Sequence, residues 1–341
     1  MKTYALHSHF KPAGERSVIP SYDPKDYHKL GTEFSRGDAR RVMSRGELVE
    51  FSKCPQRWKL GVSEDSTSST EWGSLIDCIV TGDFENTYAI APETYEKKGM
   101  KCEGCDSITD SSKCAKCKRE RVPVTFQKPW DWASNTCSDW KKEREAEGKQ
   151  VIRSNTASEA RKAIARINQD EKLSAFIEAS KRQVFVRVDY EDEDTGIVVP
   201  VKCLLDFVPD PLSEFGTILG DLKTTISAAP RSWLDTVFKR GYHIQAALYL
   251  DAYNAATGSN YTQFAHIVQE NFAPYETARR VLDAEFIQLG RAAYRRALVD
   301  YCWCLANDKW PGFDDWNAGG GDLIDGWRVV SPAAWMIGGE L

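Results

Sequence analysis

The stretch from Val199 to Tyr249 constrains this chain most, because two strand patterns, a turn and a helix pattern follow one another there. Val201-Lys202-Cys203-Leu204-Leu205-Asp206-Phe207-Val208 reads as a strand with a carboxylate near its end. Pro209-Asp210-Pro211-Leu212-Ser213-Glu214-Phe215-Gly216 has the residue types of a turn. Residues 217–225, with Gly220-Asp221-Leu222-Lys223-Thr224-Thr225 at their end, read as a second strand. A connection this short folds the two strands into a hairpin and brings Asp206 beside Asp221. Side chains alternate along a strand, so Asp221 and Lys223 project from one side. Two converging carboxylates and a lysine are what a hard divalent cation and an activated water require. Beyond them, residues 242–249 read as helix, with Gln245 and Tyr249 on one face at i, i+4.

A chain of 341 residues can bury a large core as one domain or two. Its hydrophobic share of 42% and charged share of 28% describe an ordinary globular protein rather than a disordered one. A net charge of -5 argues against a non-specific polyanion binder, although a local basic groove can coexist with an acidic exterior. Lysine and arginine cluster at 113–121 and 291–296. Residues 1–14 lack an apolar segment of signal-peptide length, and no apolar run is long enough to span a membrane, so the expected location is cytoplasmic. Ten cysteines in such a chain point to free thiols and a metal rather than to disulfides.

Residues 1–43, with three prolines and little periodicity, are expected to form an irregular arm. Capping boxes at Ser44–Glu47 and Thr156–Glu159 each predict a helix start, the second running on through Phe176 and Ile177. Val184, Val186 and Val188 alternate along a strand that completes a three-stranded meander with 197–208 and 217–225. The acidic run 191–196 reads as a solvated hairpin tip. Residues 264–268 read as a further strand, and 276–306 as one long amphipathic helix with Val281, Leu282, Leu289, Leu298 and Leu305 towards the core.

Cys102-Glu103-Gly104-Cys105 and Cys114-Ala115-Lys116-Cys117 are two CxxC knuckles eight residues apart, the spacing of a tetrahedral four-cysteine site. Each knuckle puts two thiolates on one side of a tight turn, so a structural Zn²⁺ at Cys102, Cys105, Cys114 and Cys117 is expected. The cations around it, Lys97, Lys98, Lys101, Lys113, Lys116, Lys118, Arg119 and Arg121, suit either DNA-backbone contact or a solvated surface.

The ordered set Asp206, Asp221-Leu222-Lys223 and Gln245…Tyr249 resembles the PD-(D/E)XK nuclease superfamily, in the branch holding the RecB nuclease domain and phage exonucleases such as exonuclease VIII (the RecE nuclease domain). The wording around Asp221 to Tyr253 and the segment Lys309-Trp310-Pro311-Gly312-Phe313 carry the likeness, which runs from about Ser44 to Trp335 with one interruption. It implies an α/β fold, a mixed central sheet flanked by helices, with residues 44–95 and 141–341 as nuclease core and 96–140 as a zinc-knuckle insertion. It also implies Mg²⁺ or Mn²⁺ held by Asp206, Asp221 and the Leu222 carbonyl, with Lys223 at the attacking water and Gln245 and Tyr249 at the phosphate. Trp72-Gly73-Ser74-Leu75-Ile76-Asp77 resembles the family's GxxxH helix with Asp77 in place of histidine, where it is either a cation ligand or a solvated helix residue. Iron–sulfur members join a cysteine near Cys54 to three late ones, but here only Cys302 and Cys304 follow, so Cys54 is read as packing. The implied activity is a metal-dependent exonuclease on double-stranded DNA ends, acting in recombination beside a single-strand annealing protein and forming a homo-oligomer. A non-catalytic DNA-binding module, or the nuclease subunit of a helicase-type complex, are the alternatives.

Overall fold

The computed structural model describes residues 10–14, 17–62, 68–313, 315, 323–324 and 327–328. Its contacts divide the chain into two units: residues 1–68, 170–270 and 276–341 form the first, and residues 69–169 with 271–275 the second.

The first unit opens with β1 (Phe10–Pro12) and β2 (Val18–Ile19), which both pair antiparallel with the strand Ser180–Glu191. The expected irregular arm is therefore partly sheet, and the reason lies in what it covers. Phe10 stacks on Tyr294 at 5.7 Å and Tyr22 on Phe185 at 4.4 Å, so the arm shields apolar rings that would otherwise meet water. Helix α1 (Pro24–Lys29), N-capped by Asp23, offers the carbonyls of Tyr27 and of the following Leu30 to the buried Lys202 Nζ, at 2.8 and 2.6 Å. β3 (Met43–Ser44) runs parallel to Val201 and Lys202 and leads into α2 (Arg45–Lys53) through the expected Ser44–Glu47 capping box. α3 (Pro55–Lys59) follows, starting on a proline that helix N-termini tolerate.

The second unit contains α4 (Ser68–Thr81), α5 (Phe84–Thr87), β4 (Tyr88–Ile90), β5 (Thr94–Lys101), β6 (Ile108–Thr109), β7 (Val122–Pro129), α6 (Asn135–Ala146), β8 (Gln150–Ile152) and α7 (Ser154–Asn168). Strands β6-β5-β7 form an antiparallel ribbon, and β4 pairs in parallel with β8. The capping box expected at Thr156 does not form: α7 begins at Ser154, with Arg153 at its N-cap and no side-chain cap bond. Its predicted continuation is a separate helix, α8 (Glu171–Glu178), because the Asp170 carboxylate accepts from the Lys172 and Leu173 amides and so starts a new helix.

Back in the first unit, β9 (Ser180–Glu191), β10 (Val198–Pro209) and β11 (Ile218–Thr225) form the expected antiparallel meander. α9 (Pro230–Lys239) and α10 (Tyr242–Thr257) then carry the chain to β12 (Gln263–Glu270), parallel to β11, since parallel neighbours need a crossover. The long helix expected over 276–306 is instead β13 (Thr277–Val281) followed by α11 (Ala284–Asn307), capped by Asp283. Pairing with β12 claims the first five residues, so Val281 and Leu289 are exposed while Leu282 and Leu298 are buried and Leu305 packs against the core. β14 (Leu323–Ile324) and β15 (Trp327–Arg328) form a small hairpin. The main sheet runs β1-β9-β10-β11-β12-β13, mixed in direction, with β2 on β9 and β3 on β10.

Helix α10 is buried for most of its length, from His243 through Tyr253, against the sheet, α2 and α11. Two features fix it. Gly290 on α11 leaves the room the crossing needs, since a Cβ there would lie 2.0 Å from the His243 carbonyl oxygen. Asp251 on α10 receives Arg291 from α11 through bonds of 2.8–3.1 Å and the Tyr294 hydroxyl at 2.5 Å. Trp310 from the Lys309–Phe313 segment stacks on Trp58 at 5.9 Å, which accounts for that segment's place against α3. Among the described residues no helix is long and apolar enough to cross a membrane.

Gly290→Ala is expected to lower stability by about 1–3 kcal/mol in denaturant unfolding, because backbone rather than a flexible side chain must move. Gly46→Ala on α2, whose Cβ meets only Ser44 Oγ at 3.8 Å, should leave stability unchanged or raise it.

Candidate active site

The two strands meet where their pairing is weakest. Phe207 lies opposite Gly220, one residue from Asp206 and Asp221. On the other edge of β10 the ladder pairs Leu205 with Val184 and Phe207 with Arg182 but skips Asp206, and Gln183 sits there at φ 48. The Gln183 carbonyl turns to the Tyr22 amide instead, at 2.9 Å. The Asp206 carboxylate accepts the Leu222 amide across the gap, at 2.8 Å. Gly220 is bare for a reason as well: a Cβ would lie 2.5 Å from the Phe176 ring that covers it.

Asp221 is 2% exposed. Its carboxylate accepts Gln245 Nε2 at 2.7 Å and forms an ion pair with the Lys223 ammonium, which also reaches the Leu222 carbonyl at 3.4 Å. Burial pulls the Lys223 pKa down, but Asp221, Asp206 and Tyr242 outweigh it and the net shift is upward. Lys223 is therefore an ammonium at neutral pH. The sequence-predicted Asp206, Asp221, Lys223 and Gln245 thus converge, with the Leu222 backbone between them.

Three neighbours went unread in the sequence. Arg45, at the start of α2, donates to the Arg240 carbonyl at 3.2 Å and towards Gln245 Oε1 at 3.5 Å, with its guanidinium 6.0 Å from the Tyr242 ring. Tyr242 also faces Lys223 Nζ at 5.2 Å. His266 lies beside Asp221 in register on β12, 1% exposed among Trp233, Tyr242 and Phe264. Burial pushes its pKa down to about 3, so it stays neutral and leaves the balancing of Asp221 to Lys223. Arg45 carries a signal in retrospect, following the N-cap serine of a helix; His266 in an apolar strand carries none.

Tyr249 is buried one turn beyond Gln245, and its pKa is raised well above the usual value by burial, then by Tyr27 and Cys203. Asp77 lies on α4 in the second unit, partly buried, where it adds to the burial and the Cys78 thiol that raise the Tyr88 pKa to about 12.

The donor set of Asp206, Asp221 and the Leu222 carbonyl is all hard oxygen, which suits Mg²⁺ or Mn²⁺. An ammonium already rests against two of these groups, so the pocket accepts a cation.

In the second unit the ligand atoms of Cys102, Cys105, Cys114 and Cys117 all lie within 4.8 Å of one another and can hold a metal ion. The Cys117 amide holds the Cys114 thiol down to about 6, the Ser107 hydroxyl lowers Cys105, and Cys105 drives Cys117 up to about 12. Of the surrounding cations, Arg121 is not available to DNA. It is buried and donates to the Met100 and Ser107 carbonyls at 3.1 and 2.6 Å. Lys97 and Lys101 pair with Asp110 and Asp106. The 291–296 cluster is likewise structural, since Arg291 and Arg295 face Asp251 and Arg296 faces Asp300. Cys54, Cys302 and Cys304 are buried thiols, the last two raised to about 12 by burial.

No curated protein matches the chain. Among solved structures, a protein of Eubacterium rectale named provisionally as an exonuclease is 13% identical, with a TM-score of 0.49 over 90% of this chain and 96% of that one. SSO0001 is 14% identical, with a TM-score of 0.24 over 47% and 69% of the two chains. Rai1 of Scheffersomyces stipitis is 11% identical, with a TM-score of 0.27 over 80% and 70%. A family model matches residues 47–315, well over half of the chain, including both carboxylate strands and the glutamine helix. The protein belongs to the family described as the PDDEXK-like domain of unknown function (DUF3799), within the PD-(D/E)XK nuclease superfamily.

Proposed function

We propose that this protein is a Mg²⁺- or Mn²⁺-dependent exodeoxyribonuclease that hydrolyses phosphodiesters at duplex DNA ends, in the manner of the RecE nuclease domain in recombination. The observation that carries the reading is the convergence of two carboxylates, a lysine and a glutamine on Asp221 and its neighbouring amide. A bound divalent cation would supply an activated water and charge neutralisation at the phosphate. Asp206, Asp221 and the Leu222 carbonyl are the groups that would hold it. Lys223, being protonated, offers positive charge and hydrogen bonds to a phosphoryl oxygen or to the attacking water. Gln245 turns Nε2 towards the reacting centre, with Arg45 at its Oε1 favouring that orientation. Tyr249 steadies the same helix face, and Asp77 is a candidate further ligand.

End-labelled linear duplex and closed circular DNA, each with Mg²⁺ or EDTA, test the activity. Label should be released from the linear duplex alone and only with Mg²⁺; no release from either would end the reading. Asp221→Asn, Asp206→Asn and Lys223→Ala should each lose about 10²-fold or more in rate while unfolding as a cooperative domain.

Arg45→Met should slow hydrolysis in the wild-type background but add little to Gln245→Ala, because its effect runs through that amide. Fully additive losses in the double-mutant cycle would show that Arg45 acts elsewhere.

For Asp77, a Mg²⁺ titration of activity decides. Asp77→Ala should raise the half-maximal concentration, and Asp77→His should shift preference towards Mn²⁺, since imidazole suits softer ions. Unchanged curves would remove Asp77 from the site.

A further inference from the structure

We infer that Cys102, Cys105, Cys114 and Cys117 bind one zinc ion in a closed site, and that this ion is the core of the ribbon formed by β5, β6 and β7.

The first support is repetition of backbone geometry. In each knuckle the first cysteine's amide donates to the carbonyl five residues on, Cys102 to Ser107 at 3.0 Å and Cys114 to Arg119 at 2.9 Å. Its carbonyl accepts the amide four residues on, from Asp106 at 2.8 Å and from Lys118 at 2.9 Å. The residue after each second cysteine is left-handed, Asp106 at φ 55 and Lys118 at φ 57. Neither is glycine, so each knuckle carries backbone strain of about 1–3 kcal/mol that its surroundings must offset. Two segments with different side chains share one strained form, and what they have in common is the pair of thiols.

The second support is the spacing of the sulfurs. A tetrahedral zinc with bonds of about 2.3 Å sets its sulfurs about 3.8 Å apart. Here the four sulfurs lie within 4.8 Å of one another, and Cys105 and Cys114 are 3.6 Å apart. A disulfide needs about 2.05 Å and engages thiols only in pairs, so it does not explain a mutual group of four.

The third support is the lack of any other core at the knuckle end of the ribbon. In the three strands and their loops only Tyr95, at the far end of β5, and Cys102, Cys114 and Arg121 are buried, while Ile108 and Val122 are exposed, so the knuckle end has no apolar core. A ribbon of this kind cannot hold itself by apolar burial and needs a staple. Four thiolates on Zn²⁺ leave a net charge of −2, their protons passing to solvent. Arg121 brings positive charge to the cluster through Ser107 Oγ, at 3.0 Å, while its bonds to the Met100 and Ser107 carbonyls tie β5 to the first knuckle. With four protein ligands no coordination position remains for a water, so the ion is structural.

The test uses the full chain, purified without added metal and passed through EDTA to remove loosely held cations. Elemental analysis should find about one zinc per chain, and a thiol reagent should leave these four cysteines unreacted until a strong zinc chelator is added. Trypsin should then cut at Lys101 to Arg121 before it cuts elsewhere. Cys114→Ser should lose the zinc and show the same early cutting without chelator. Folded wild-type protein with no zinc and four reactive thiols, or with iron and visible absorption, would overturn the inference. None of these readings depends on nuclease activity, so they stand or fall apart from it.

Discussion

A carboxylate that is 2% exposed in the middle of a sheet is costly unless it is balanced, and the balancing of Asp221 organises much of the first unit. Lys223 supplies charge from the same strand, and Gln245 supplies a hydrogen bond from α10. The second contact requires α10 to lie within hydrogen-bond reach of β11. Its height is set on the opposite side, where Gly290 lets α11 approach the His243 carbonyl and Asp251 is clamped by Arg291 and Tyr294. A buried ion-pair network on the other side of α10 thus serves to position the Gln245 amide. Removing one partner of such a pair is usually severe, because it leaves the other charge buried alone.

The second constraint is an interrupted ladder. On the β9 side of β10, Gln183 turns left-handed and its carbonyl goes to Tyr22; on the β11 side, the Asp206 carboxylate takes the Leu222 amide. The amino-terminal arm is therefore tied to the site through two strands. Irregular backbone beside reacting groups is common where a side chain must be re-aimed.

This division explains what could be read from the sequence. The hairpin, the shared side of Asp221 and Lys223, the Gln245 helix and the cysteine knuckles follow from period and spacing within a few dozen residues. The helix start near Thr156 was misplaced because α7 begins two residues earlier without a side-chain cap, and the break at 170 was missed because Asp170 caps a new helix there. The strand at Thr277–Val281 was hidden because its partner β12, rather than its own pattern, decides its conformation. Arg45 reaches the site from α2, 200 residues from its partner Gln245, and His266 from β12, a crossover away from β11, so no local pattern announces them.

The two proposed metal sites differ in donor type. The sheet offers hard oxygens from Asp206, Asp221 and Leu222, and the ribbon offers soft sulfurs from its four cysteines. Zinc generally outcompetes magnesium or manganese at any one donor set, but thiolates hold zinc more tightly than carboxylates do, so the proposed zinc would fill the ribbon first. A neutral imidazole at the carboxylate site would weaken that discrimination. His266 stands beside Asp221 in register, yet it is packed among three aromatic rings, and no group of three or more His, Cys, Asp or Glu ligands forms there among the described residues. With the imidazole packed against rings, the donors proposed at the sheet are oxygens, which would hold a cation weakly and exchangeably where four thiolates would hold one firmly.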